Sequence, residues 1–162
     1  FHSVVGHLLG GPQATDAATV DLDIANLAKI DQVLGHVAAV RRLAAGAASR
    51  IGAQDVGQGA VARDGVIVAT ETQDGTDAML QRIQPAPGGS NGVLVKRPKP
   101  QQERRIDLPT IGANTVRSAA AAGLAGIAIE AGGALVVDRK QVAELADQFG
   151  IFVYGFTAAE AM

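Results

Sequence analysis

The sequence predicts an α/β or α+β fold: one domain with a mixed β-sheet and flanking helices, preceded by an N-terminal arm and a helical region. Three observations carry this expectation. A helical apolar period runs from Thr15 or Asp16 to Arg50. A period of two replaces it from Val56. Short apolar runs then alternate with helical stretches to the end of the chain, the pattern of sheet and helix layers packed on each other. The division expected is an arm and helical region over residues 1–50 and an α/β domain over 51–162, read as one continuous domain.

In chain order, residues 1–15 carry Gly6, Gly10, Gly11 and Pro12 with no sustained period, as in a loop or arm. Val20, Ile24, Leu27, Ile30 and Leu34 then recur at three- and four-residue steps, with Asp16 as a plausible cap. Val37, Val40, Leu43 and Ala47 continue a similar stripe, and Gly35 is expected to break it into two helices. Ala60 to Ala62 and Val66 to Ala69 flank Asp64-Gly65, a strong hairpin signal because both turn residues tolerate positive φ. Gly75-Thr76 opens a short helix carrying Met79, Leu80 and Ile83. Residues 85–92 are a loop and Val93 to Val95 a strand, and residues 96–112, with prolines at 98, 100 and 109, cannot be a helix interior. Thr115 to Ala122 reads as a helix stopped by Gly123. Ile127 to Ile129 and Leu135 to Val137, around Gly132-Gly133, form a second hairpin candidate. Gln141 to Phe149 is helical, Ile151 to Phe156 is a final strand, and Thr157 to Met162 is expected to fray.

Composition narrows the function. The chain has 162 residues, 48% hydrophobic and 19% charged, enough for one self-sufficient core. A net charge of −2 and 3% aromatic residues argue against nucleic acid as a partner. Without cysteine there is no disulfide, thiolate catalysis or sulfur-ligated zinc, which fits a reducing cytoplasm. No apolar run reaches about 18 residues, and no basic-then-apolar start marks a signal peptide. The first residue is Phe1, which reads as a fragment with sequence missing upstream. The histidines at 2, 7 and 36 lack metal-ligand spacing, and Gly57-Gln58-Gly59 opens a strand rather than the helix that a dinucleotide fingerprint needs.

Two segments concentrate chemistry. In Glu71-Thr72-Gln73-Asp74-Gly75-Thr76-Asp77, three carboxylates lie where a strand ends and a helix begins. Grouped carboxylates suit a hard cation such as Mg²⁺, and free helix N–H groups suit an anion. The competing reading makes Asp74 or Thr76 a cap and Asp77 a complement to the helix dipole. The run from Lys96 to Gly112 holds five basic residues against two acidic ones, stiffened by proline. Lys and Arg are the usual partners of phosphate oxygens. Asp107, among these cations, could bind a metal or orient a water, or could sit in a solvated Asx turn. Acid groups for a cation and basic groups for phosphates are what diphosphate cleavage requires.

These residues also carry a resemblance. Gly57-Gln58-Gly59-Ala60-Val61, Glu71, and Gly75-Thr76-Asp77-Ala78-Met79-Leu80 resemble the first signature of the LpxI-type UDP-2,3-diacylglucosamine pyrophosphatases. The second signature resembles the run Lys96, Pro98, Lys99, Pro100, Gln102, Arg105, Asp107-Leu108-Pro109 and Ile111-Gly112, extended by Thr115 and by Gly123 to Ile127. The resemblance implies a cytoplasmic enzyme at the inner face of the inner membrane, peripheral through its substrate. Using Mg²⁺ or Mn²⁺, it would hydrolyse UDP-2,3-diacylglucosamine to UMP and 2,3-diacylglucosamine 1-phosphate (lipid X) in lipid A synthesis. Asp107 would be the catalytic aspartate, and Glu71 and Asp77 would join it at the metal. Lys96, Lys99, Gln102, Arg105, Thr76 and Thr110 would bind substrate. The family also implies an N-terminal domain of similar size that this chain lacks, with substrate lying between the two. Glu103 stands where an aspartate is common in the family. Two alternatives remain: a non-catalytic nucleotide-sugar or phospholipid binding module, and a structural domain that forms a homodimer through Ile24, Leu27 and Ile30.

Overall fold

The computed structural model describes residues 24–87, 91–100 and 108–161, with side chains described from Gly35 onward except His36. The arm, the cap at Asp16, and the side chains of Ile24, Leu27 and Ile30 therefore lie outside the described residues. The elements run α1 (Ile24–Ala53), β1 (Gly59–Arg63), β2 (Val66–Thr70), α2 (Gly75–Gln81), β3 (Gly92–Lys96), β4 (Thr110–Ile111), α3 (Ala113–Ala121), β5 (Leu124–Glu130), β6 (Leu135–Val136), α4 (Arg139–Phe149) and β7 (Phe152–Phe156), closed by a 3₁₀ turn, Ala159–Ala161.

Five strands form a mixed sheet in the order β2-β1-β3-β5-β7. β1 is antiparallel to both β2 and β3, whereas β3, β5 and β7 are parallel. The carboxyl ends of β2, β3, β5 and β7 consequently share one edge with the start of β1. Gly59 lies opposite Lys96 there, and Glu130 opposite Phe156.

Side chains alternate across a strand, so each face of the sheet collects its own core. Val61, Leu94, Ile127, Ile129 and Val153 face α2, α3 and α4, where they meet Met79, Leu80, Val116, Ala119, Val142 and Ala146. Ala60, Ala62, Val93, Val95, Ala128 and Phe156 face α1, where they meet Val40, Ala44, Ala45, Ala47 and Ala48. The second core is built largely of alanine, which lets the long helix approach the sheet closely. The sheet with helices on both faces is the α/β arrangement the sequence predicted. Among the described residues, no helix is long and apolar enough to cross a membrane.

The Asp64-Gly65 hairpin forms as expected, with Arg63 paired to Val66 and both turn residues at positive φ, 50° and 76°. Three expectations fail. Gly35 does not split α1, which runs unbroken through it; a glycine costs only about 1 kcal/mol in a helix interior, which packing against the sheet outweighs. β5 and β6 do not form a hairpin: β5 is paired on both edges, by β3 and β7, and β6 pairs in parallel with β4 instead. Met162 lies outside the described residues; from Thr157 to Ala161 the C-terminal segment does not fray, because Glu160 ties it down. Its carboxylate accepts from Tyr154 Oη at 2.6 Å and from the Thr157 amide and hydroxyl at 2.7 and 2.9 Å, and Arg41 of α1 lies 3.5 Å away.

Candidate functional site

The carboxyl edge of a parallel sheet is where strands end and helices begin, and ligands of open α/β sheets bind there. Most of the described sequence candidates converge on this edge. Glu71 follows β2, Thr76 and Asp77 open α2, Lys96 ends β3 and Thr110 opens β4.

Lys96 is the centre of the group. It is 7% exposed and points toward α2, the same face as Leu94 two residues earlier. Its ammonium donates to Thr76 Oγ1 at 2.7 Å and to the Thr110 carbonyl at 3.3 Å. Thr76 in turn donates to Glu71 Oε2 at 3.1 Å, so a hydrogen-bonded chain runs from cation through hydroxyl to carboxylate. Burial lowers the Lys96 pKa from its usual value, while the nearby charges of Glu71 and Asp77 oppose that shift. An ammonium has three N–H donors, and among the described residues two are used, so one remains for a ligand.

Glu71 reaches this position because the chain opposite it is glycine. A Cβ on Gly57 would lie 2.5 Å from the Glu71 carbonyl oxygen, and one on Gly59 would lie 2.6 Å from Glu71 Oε2. The Glu71 amide also donates to the Gly59 carbonyl at 2.8 Å. The Gly57-Gln58-Gly59 run thus seats a carboxylate rather than a nucleotide phosphate, and it opens β1, as its sequence context indicated. Asp77 is exposed and accepts from Ser118 of α3 at 3.4 Å. Asp74 stands at the N-cap position of α2 but makes no side-chain cap bond, and the Thr76 hydroxyl is committed to Glu71.

Lys99 sits apart from this chain: it pairs with Asp55 at 2.8 Å, just beyond α1. Asp107, Gln102 and Arg105 lie outside the described residues. Sequence reasoning did not single out Arg97, whose side chain turns to the opposite face. It pairs with Glu130 at 2.7 Å and donates to Ser49 of α1 at 2.7 Å. The available signal was Glu130 itself, an acidic residue directly after the apolar run of β5. Gln58, whose carbonyl accepts from the Arg97 amide at 2.9 Å, keeps a buried side-chain oxygen with no hydrogen-bond partner among the described residues.

The arrangement offers a desolvated cation for phosphate oxygens, with two carboxylates close by. Those carboxylates supply oxygen donors of the type a hard divalent cation takes. Among the described residues, however, no cluster of three or more histidine, aspartate or glutamate side chains could hold a metal by itself. Mg²⁺ commonly takes one or two carboxylates and completes its shell with substrate phosphates and water, so the donor chemistry fits.

Residues 32–154 match the family model described as the LpxI C-terminal domain. The chain is also 48% identical over 141 residues to the UDP-2,3-diacylglucosamine pyrophosphatase LpxI of Caulobacter vibrioides, an alignment covering 83% of this chain and 50% of the relative. The chain thus spans about half the length of that curated relative.

Proposed function

The chain belongs to the LpxI family, and from that premise we propose that it supplies the catalytic part of a metal-dependent hydrolase acting on the diphosphate of UDP-2,3-diacylglucosamine. The products would be UMP and 2,3-diacylglucosamine 1-phosphate, in lipid A synthesis, on the cytoplasmic side of the inner membrane. The observation that carries this reading is Lys96: a buried ammonium at the carboxyl edge, bonded among the described residues to neutral oxygens alone, at the start of the run that resembles the second family signature.

In this mechanism Lys96 places its remaining N–H on a phosphate oxygen and neutralises charge that grows as the bond to the leaving group breaks. Thr76 holds the ammonium in place, and Glu71 orients the Thr76 hydroxyl. Asp107 orients the attacking water. Arg105, Gln102, Lys99 and Thr110 contact the rest of the substrate. Mg²⁺ or Mn²⁺, held by Asp107, Asp77 and Glu71, would supply further charge neutralisation at the phosphates.

The test is UMP release from UDP-2,3-diacylglucosamine, using the chain expressed with any coding sequence that precedes it. Turnover should require a divalent cation and stop with chelator. Asp107→Ala should lower it at least about 100-fold, the scale of a catalytic proton-transfer or water-orienting group. A folded Asp107→Ala protein that keeps turnover within about tenfold removes the assignment. Binding of the nucleotide sugar without hydrolysis would leave a binding module instead.

A further inference from the structure

Gly57 and Gly59 both stand against Glu71, yet they meet different parts of it. A Cβ on Gly57 would lie 2.5 Å from the Glu71 carbonyl oxygen and 2.9 Å from the carbonyl carbon. Those are backbone atoms at the end of β2, and they cannot yield without moving the chain. A Cβ on Gly59 would meet Glu71 Oε2 at 2.6 Å, whereas the next atoms, Cβ and Cδ of the same side chain, stand at an ordinary 3.7 Å. Oε2 is the far end of a flexible side chain and can swing into another rotamer. Gly59 is not at positive φ, so its backbone does not require glycine either. Glycine inside a strand is less stable than alanine there. What a side chain at Gly59 would displace is thus the Glu71 carboxylate. In that place Oε2 accepts from Thr76 Oγ1 at 3.1 Å, and Thr76 Oγ1 accepts from Lys96 at 2.7 Å. Gly59 also lies opposite Lys96 in the β1–β3 pairing and shares the face of Val61, which looks toward α2.

We infer that Gly59 is a positioning residue for the reaction proposed above: its missing side chain keeps the Glu71 carboxylate on Thr76, and so keeps the Thr76 lone pairs on Lys96. The inference rests on that function and adds to it a residue that acts only through others. A hydroxyl has one hydrogen to donate and two lone pairs to accept with. Glu71 takes the hydrogen, so the oxygen faces the ammonium as an acceptor. A carboxylate pushed aside by a methyl group at position 59 leaves the hydroxyl free to turn, and the ammonium loses a fixed direction. Lys96 must set its remaining N–H on a phosphate oxygen, and such placement tolerates errors of about 0.5 Å. Gly57 therefore serves the fold, and Gly59 serves the site.

The experiment compares Gly59→Ala with Gly57→Ala, each expressed with any coding sequence that precedes the chain, in thermal melts and in UMP release at saturating Mg²⁺. Gly59→Ala should melt within about 3 °C of wild type or above it, since alanine is the better strand residue and a side-chain end yields. Its kcat/KM should nevertheless fall about tenfold, the scale of one hydrogen bond to a charged group. Gly57→Ala should melt at least roughly 5 °C earlier, because backbone has to move. A Gly59→Ala protein that melts as early as Gly57→Ala overturns the inference, because the glycine then serves packing. So does one whose kcat/KM stays within about twofold of wild type. A cycle with Thr76→Val tests the route: in the Thr76→Val background, Gly59→Ala should change kcat/KM by less than about twofold. A full tenfold fall in that background means that Gly59 acts on something other than the Thr76 contact, and it overturns the inference too. Wild type that releases no UMP sinks the functional reading itself, and this inference with it.

Discussion

Lys96 and Arg97 are consecutive cations at the end of the same strand, yet the fold treats them in opposite ways. Arg97 turns toward α1, where the Glu130 carboxylate compensates its charge at 2.7 Å and the Ser49 hydroxyl takes a second donor. Lys96 turns toward α2 and, among the described residues, receives a hydroxyl and a carbonyl alone, with carboxylate charge held one hydrogen bond further off. A compensated cation is architecture: it staples the sheet to a helix and has little left to give. A cation held by neutral oxygens in a desolvated place keeps attraction in reserve for an anion. On the proposed function the two sheet faces divide the work, with α1 fixing the frame and the face of α2 and α3 holding the chemistry.

The largest expected effect breaks the architectural side. Glu130→Ala leaves a largely buried guanidinium without its counter-charge, a change that costs about 3 kcal/mol or more. For a chain of this size, Tm should fall by roughly 6–12 °C in a thermal melt followed by circular dichroism. A loss under about 1 kcal/mol would mean that Arg97 is not held as a buried pair and that the contrast with Lys96 is false.

The chemical side should respond in the reverse sense. Lys96→Met should leave stability within about 1 kcal/mol of wild type, because it removes a cation whose burial was already unfavourable. UMP release should fall at least about 100-fold. The pH dependence has a definite sign. Folding lowers the Lys96 pKa below its ordinary value of 10.5, so the cost of burying the charge is present below the folded pKa and is relieved as pH rises toward 10.5. Wild type should therefore gain stability relative to Lys96→Met over that alkaline interval. A Lys96→Met protein that melts as early as Glu130→Ala would place both cations in the frame.

Thr76 sharpens the comparison at smaller scale, because it converts the Glu71 carboxylate into a neutral contact for Lys96. Thr76→Val should weaken binding of a diphosphate ligand about tenfold, and Thr76→Ser should restore it, since only the hydroxyl matters for the relay. Equal binding by the valine and serine variants would show that Lys96 is positioned by the Thr110 carbonyl alone.

The legible parts of this fold were those written locally. The Asp64-Gly65 turn, the helical stripe of α4 and the apolar strands β1, β3 and β7 each follow from spacing and backbone preference within a few residues. The opposed treatment of Lys96 and Arg97 was not legible as such. It depends on which face of β3 each side chain takes, and on Glu130 arriving from a strand that pairs in parallel after a long crossover. β4 and β6 escaped for a related reason: two residues carry no period, and their pairing joins segments about 25 residues apart. Local reading instead assigned β6 to a hairpin with β5, whose edges were already taken. In the candidate site, the carboxylates beside α2 and the basic start at Lys96 were visible as composition. Their convergence was a property of the sheet.

Arg41, a buried cation of α1, offers the smallest and last test of the rule that a compensated cation is structural. It lies between α1 and the C-terminal turn, its guanidinium 5.2 Å from the Tyr154 ring centroid, 5.4 Å from that of Phe156, and 3.5 Å from the Glu160 carboxylate. The Thr157 amide, foremost, and the Tyr154 hydroxyl lower the Glu160 pKa from 4.5 to about 2. Because the folded value is depressed, the stabilisation is fully present above about pH 4.5 and is lost as pH falls through about 2. Glu160 is partly exposed, so solvent screening holds the contribution to about 1 kcal/mol or less. Glu160→Gln should therefore be less stable than wild type near neutral pH by that small amount and equal to it near pH 2, in urea unfolding at each pH. A difference that persists unchanged into acid would mean that the turn is held by packing on the two rings, with the carboxylate contributing nothing to holding Arg41.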